Sequence, residues 1–133
     1  MIKLSKLADY GTLILAEMAI TPSALQSAAD LAERTHLPPT TVSKLLKLMA
    51  AQEIVVSKLG KQGGYRLKEL PEKIPLLKII EALEGPFGMT ECSNHLHPCE
   101  IESLCHVKPH WQKINRVIMN ALKNLSLADL GSK

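Results

Sequence analysis

A chain of 133 residues with 46% hydrophobic content is long enough for one compact core and too apolar for disorder throughout. With one Phe, two Tyr and one Trp that core has to be aliphatic, which favours packed helices over a sandwich or barrel. A formal charge of +3 is too small to argue for a nucleic-acid partner by itself, and there is no run of about 18 apolar residues to span a membrane.

Residues 5–20 read as a helix capped by Ser5, with Leu7, Gly11, Ile14 and Met18 at helical spacing and Tyr10, Leu13 and Leu15 widening the stripe. The amphipathic start, holding Asp9 and Glu17, lacks the continuous apolar stretch of a secretory leader, so a cytoplasmic address is expected. Pro22 closes this segment, and Ser23 to Leu25 read as a short extended approach. A second helix is expected over about 27–35, facing Ala28, Leu31 and Ala32 inward. His36-Leu37-Pro38-Pro39 breaks it, and Pro39 suits the first turn of a third helix running to about Gln52. That helix puts Val42, Leu45, Leu46 and Met49 on one side and leaves Thr40, Thr41, Ser43, Lys44 and Lys47 on the others.

Helix, short turn, helix is the pattern of a helix-turn-helix. The β-branched run from Ile54, the turn Gly60-Lys61-Gln62-Gly63-Gly64 and then Tyr65-Arg66-Leu67 make a β-hairpin directly after it. The expected fold is therefore mainly α with a small β-hairpin, a winged helix-turn-helix. Charge supports this, because Lys44, Lys47, Lys58, Lys61, Arg66 and Lys68 face a single acid, Glu53, across the same stretch. Pro71 to Pro75 read as a linker, and Leu76 to Glu84 as a short helix with Leu77, Ile80 and Leu83 inside. Over 85–110, Gly85, Pro86, Gly88, Pro98 and Pro109 forbid long regular structure. Trp111 to Leu125 is expected to be a long amphipathic helix striped with Ile114, Val117, Ile118, Ala121, Leu122 and Leu125.

An irregular loop of that length needs a reason to be ordered. Cys92, Cys99 and Cys105 form a C-x6-C-x5-C run inside it, accompanied by His95, His97, His106 and His110. Soft thiolates suit iron–sulfur clusters and zinc, and coordination would replace the missing core. An odd cysteine count in a reducing compartment argues against structural disulfides. Structural zinc sites show paired spacings of about C-x2–4-C, which this run lacks, so a cluster is favoured and zinc is the alternative. No phosphate-binding glycine loop and no nucleophile elbow is present, so an enzyme is not expected.

Taken in order, several segments resemble the IscR/NsrR (Rrf-two) family of winged-helix regulators. They are Leu4-Ser5-Lys6-Leu7-Ala8-Asp9-Tyr10, the residues Ala28, Asp30, Leu31 and Ala32, Val42-Ser43-Lys44-Leu45-Leu46, Gly60 with Gly63-Gly64-Tyr65-Arg66-Leu67, Glu81-Ala82-Leu83-Glu84-Gly85, the three cysteines, Trp111 and Leu125-Ser126-Leu127-Ala128-Asp129-Leu130. Glu84-Gly85-Pro86-Phe87-Gly88-Met89-Thr90-Glu91-Cys92-Ser93 is similar to the branch that regulates the SUF iron–sulfur assembly system. The resemblance implies a homodimer, a cluster (2Fe–2S or 4Fe–4S) on Cys92, Cys99 and Cys105, and a repressor of assembly genes acting at a double-stranded DNA operator. A zinc-stabilised or nitric-oxide- and redox-sensing regulator of other stress genes is the alternative. In one branch a histidine three residues after the last cysteine completes the cluster, but that position here is Lys108. In the nitric-oxide-sensing branch an N-terminal aspartate crosses the dimer, and Asp9 falls at that position. Asp9 from the partner subunit is thus the first candidate for the fourth ligand and His106 the second, against Asp9 as an ordinary solvent-facing residue.

DNA contacts are expected from Thr40, Thr41, Ser43 and Lys44 on base edges and from Lys47 on phosphate. Lys58, Lys61 and Arg66 are the candidates on the wing. The position before Gly60 often holds Arg in the family, whereas this chain has Leu59. The expected organisation is 1–70 as the DNA-binding domain, 71–110 as short helix and cluster loop, and 111–133 as dimerisation helix and tail.

Overall fold

The computed structural model describes residues 3–93 and 99–130. Helix α1 spans Lys6–Met18, and Ser5 caps it by accepting the Ala8 N–H at 3.2 Å. It buries Ala8, Gly11, Ile14, Leu15 and Met18, whereas Leu13, placed in the stripe by the sequence, is 42% exposed. The buried arc follows 8, 11, 15 and 18 with Ile14 between, and Leu13 falls off it.

The extended approach expected at 23–25 is a turn instead. The bridge is made one residue later by Gln26, which exchanges two 2.8 Å backbone hydrogen bonds with Tyr65. Helix α2 (Ala28–Thr35) starts at Ser27, which accepts the Asp30 N–H, and ends where His36 turns left-handed at φ 60°. Helix α3 (Pro39–Ala51) follows at once and buries Val42, Leu45, Leu46 and Met49 against Leu31, Ile14 and Met18. Strands β1 (Val55–Lys58) and β2 (Gly64–Leu67) pair antiparallel, Val55 opposite Leu67 and Lys58 opposite Gly64. Val55 and Leu67 close the core from that side, which fixes the register. The architecture is a winged helix-turn-helix, mainly α with one hairpin.

The stretch expected as a linker is part of the core. Pro71–Lys73 forms one 3-10 turn that buries Pro71 and Ile74. The Ile74 carbonyl accepts the Leu127 N–H at 2.9 Å, and the Leu76 N–H donates to the Leu125 carbonyl at 2.9 Å. Helix α4 (Leu76–Glu84) buries Leu77, Ile79 and Ile80; Leu83 lies so close to Gly11 that a Cβ there would sit 2.4 Å from its Cδ1. Among its described residues the irregular stretch contains two 3-10 turns, Glu91–Ser93 and Glu102–Leu104. Helix α5 (Lys108–Asn124) begins before the expected Trp111, because Pro109 occupies its first turn, where a missing N–H costs nothing. A last short helix, α6 (Leu127–Leu130), returns Leu127 to the core at 0% exposure. No helix among the described residues is long and apolar enough to cross a membrane.

Candidate functional site

Burial of Val42, Leu45, Leu46 and Met49 dictates what α3 presents outward. Thr40, Ser43, Lys44 and Lys47, at i, i+3, i+4 and i+7, line one open face with Pro39 and Leu48. Thr41 is half-buried and one residue off that row. The helix has no acid in its first turn and no side chain capping its start, so its positive end is unopposed.

The wing adds cations by its pleat. Val55 and Leu67 point into the core, so Val56, Arg66 and Lys58 take the other face. Lys58 and Arg66 are exposed there and line a hollow with Ser23, Leu25, Val56 and Ser57. Lys61 and Leu59 sit in the turn, and Leu59 is 94% exposed.

Gln26, which sequence reasoning passed over, ties the wing to the helices. It is 6% exposed; its Nε2 donates to the carbonyls of Met18 and Thr21, its Oε1 accepts from Arg34, and its backbone pairs with Tyr65. A buried glutamine with every bond directed to a different segment fixes the wing against α1 and α2. The available signal was a polar residue at an approach otherwise read as a connector.

Cys92, Cys99 and Cys105 are free thiols, all half-buried. Cys92 lies in the Glu91–Ser93 turn, with its Sγ 3.1 Å from Thr90 Oγ1, and it lines a hollow with Phe87, Ser93, Asn115, Arg116 and Met119. Cys105 follows the Glu102–Leu104 turn, and His106 beside it is exposed. His95 and His97 lie outside the described residues. Asp9 is exposed in the first turn of α1. Among the described residues no three Cys, His, Asp or Glu side chains converge on one point. The donor chemistry nonetheless fits a soft-metal centre: three free thiols within one irregular stretch, none spent in a disulfide.

Residues 4–133 match the family described as Rrf2, iron-dependent transcriptional regulator. Protein rrf2 of Nitratidesulfovibrio vulgaris is 29% identical over 129 residues, which cover 96% of this chain and 86% of that protein. The structure of CymR, the global cysteine regulator of B. subtilis, superposes with a TM-score of 0.78 at 27% identity, covering 98% of this chain and 97% of that one. IscR of T. potens gives a TM-score of 0.75 at 26% identity, covering 97% and 85%. Family and fold are those of transcriptional regulators and not of enzymes. The chain belongs to the Rrf2 family of transcriptional regulators.

Proposed function

We propose that this chain is a homodimeric repressor of SUF-type iron–sulfur assembly genes whose DNA binding responds to an iron–sulfur cluster. The observation that carries this reading is the set of three free, half-buried thiols at Cys92, Cys99 and Cys105, the first in a turn packed against α5, in a family described as iron-dependent. Cys92, Cys99 and Cys105 would hold the cluster, with Asp9 of the partner subunit or His106 as the fourth ligand. When bound, such a group supplies a covalent tie across the loop that iron supply and oxidation can make or break. Residues 1–70 then serve DNA, 71–110 the cluster, and 111–133 the dimer.

The chain's own part in repression follows from its surfaces. Thr40, Thr41, Ser43 and Lys44 would meet base edges in the major groove and Lys47 a phosphate, while Lys58, Lys61 and Arg66 bring the wing onto the backbone. Lys47→Ala is expected to weaken binding about equally on all sequences and to lower the slope of log affinity against log salt by about 1. A salt titration of a fluorescent operator fragment reads that slope, and an unchanged slope removes Lys47 from the phosphate contacts.

Anaerobic purification with absorption spectra and iron, sulfide and zinc analysis tests the cofactor. A coloured protein with iron and sulfide supports the proposal, and a colourless one with stoichiometric zinc supports the zinc-stabilised alternative. Cys92→Ser, Cys99→Ser and Cys105→Ser should each lose the iron and change affinity for the SUF promoter by roughly 5–150-fold, the usual span of an allosteric coupling. Variants that bind like the iron-loaded protein would remove the sensing role. A nitric-oxide-responsive reading predicts release from DNA on exposure of the loaded protein to nitric oxide.

A further inference from the structure

Within α5 only one residue is buried, and it is polar: Asn115, 6% exposed. Leucine there would satisfy packing alone, because a buried amide is stable only when its polar atoms find partners. Asn115 finds them in the irregular segment. Its Oδ1 accepts the Met89 N–H at 3.0 Å, and its Nδ2 donates to Met119 Sδ at 3.4 Å one turn along the helix.

Met89 is the entry to a small closed turn. The Ser93 N–H donates to the Thr90 carbonyl at 3.0 Å, and the Thr90 hydroxyl donates to Ser93 Oγ at 3.0 Å. The same hydroxyl lies 3.1 Å from Cys92 Sγ, and Ser93 is 8% exposed. On the far side the Phe87 N–H donates to Glu81 Oε1 of α4 at 3.4 Å. The segment is thus held on α4 at Phe87 and on α5 at Met89, and everything from Met89 to Cys92 follows through short local bonds. Of the two anchors, the one made by Asn115 is the shorter, and Asn115 itself is buried.

We propose that Asn115 is a positioning residue for Cys92, fixing the Met89–Ser93 turn on α5 so that the thiol is presented at a set place whether or not metal is bound. The proposal rests on the cluster reading for why Cys92 is held, but the holding itself belongs to the protein alone. It also links the cysteine segment to α5, because releasing Met89 frees the turn from the helix.

The test runs on the metal-free chain, so it is separable from the presence of a cluster. Cys92 opens on a hollow of about 420 Å³, roomy enough for a small alkylating reagent. Iodoacetamide labelling, read cysteine by cysteine by peptide mass spectrometry, should be about 3–10-fold faster at Cys92 in Asn115→Ala, the range of a lost buried hydrogen bond. Cys99 and Cys105 should change little. Asn115→Asp keeps the acceptor and should restore protection of the Met89 amide in hydrogen exchange, a readout that the charge of the new carboxylate on the thiol does not move. Equal acceleration at all three cysteines, or none at Cys92, overturns the proposal. If Asn115→Ala does not fold, hydrogen exchange on the wild-type protein decides: the Met89 amide should be protected, and an unprotected amide overturns the proposal. In iron-loaded protein, Asn115→Ala should lose iron to a chelator faster than wild type, and an unchanged rate beside a more reactive Cys92 counts against a role in holding metal.

Discussion

Placing aspartate at Ile114 and Val117 together is expected to yield a folded monomer whose operator affinity is lower by about 10²–10⁴-fold, the avidity lost when two linked sites become one. The apolar stripe of α5 does not enter the core of its own subunit. Ile114 is 41% exposed, Val117 61%, Leu125 46% and Trp111 39%. Ile101, Leu104 and Val107, just before the helix, are exposed as well. That much outward apolar surface on one helix and its approach is a contact surface in search of a partner. The proposed partner is a second copy, because in dimeric helix-turn-helix proteins two recognition helices about 34 Å apart read the two halves of a palindrome. A two-fold interface also uses the same patch on both subunits, so each substitution acts twice. Since neither side chain is buried, the subunit itself should keep its stability to within about 0.5 kcal/mol. Light scattering after gel filtration reads the mass, thermal melting the fold, and a gel shift the affinity. A variant that remains dimeric moves the interface elsewhere, and a monomer that still binds the operator tightly removes the need for two copies.

What could be read in the sequence follows from how local its cause is. Helix α3 was legible because Val42, Leu45, Leu46 and Met49 repeat at helical spacing behind two prolines. The hairpin was legible because β-branched residues flank a glycine turn. The same spacing gave the outward row of Thr40, Ser43, Lys44 and Lys47, so that part of the candidate site needed only periodicity. The errors lie where a distant partner decides. Pro71–Pro75 looks like a linker until Leu127, fully buried, returns to cover Ile74. Pro109 looks like a breaker until the helix starts around it. The α5 stripe announced an apolar face and reads as a dimerisation surface, and the structure leaves Ile114 and Val117 of that face outside the core of their own subunit. Asn115 interrupts that stripe as one polar residue among apolar ones, and its importance comes from Met89, 26 positions away. Clustering of the cysteines was plain from spacing, whereas the place of Cys92 depends on a turn set by non-periodic contacts with α4 and α5.

Gly64→Ala should destabilise the chain by about 2–4 kcal/mol, from two backbone hydrogen bonds lost and a strained φ imposed. A Cβ at this position would lie 2.7 Å from the Gln26 carbonyl oxygen and 2.9 Å from its carbon, both backbone atoms that cannot swing aside. Backbone φ at Gly64 is +153°, a conformation that side-chain-bearing residues rarely adopt. Relief requires β2 to move away from Gln26, and that breaks the pair of 2.8 Å bonds between Gln26 and Tyr65. The melting temperature should fall by on the order of 10 °C for a chain of this size. Function should suffer beyond stability, because Lys58 lies directly across from Gly64 and Arg66 follows two residues on. Moving the strand moves both cations relative to α3, so DNA affinity should fall even at temperatures where the variant is fully folded. Gly60→Ala is the control: φ is +109° there too, but nothing lies within 4 Å of the added carbon, so only the backbone strain of about 1 kcal/mol applies. Equal losses for the two substitutions would mean that strain alone matters and that the contact with Gln26 does not hold the wing. A large excess for Gly64→Ala, in both melting and binding, would show that the wing is positioned through Gln26, the same residue that holds the end of α1 and the arginine of α2.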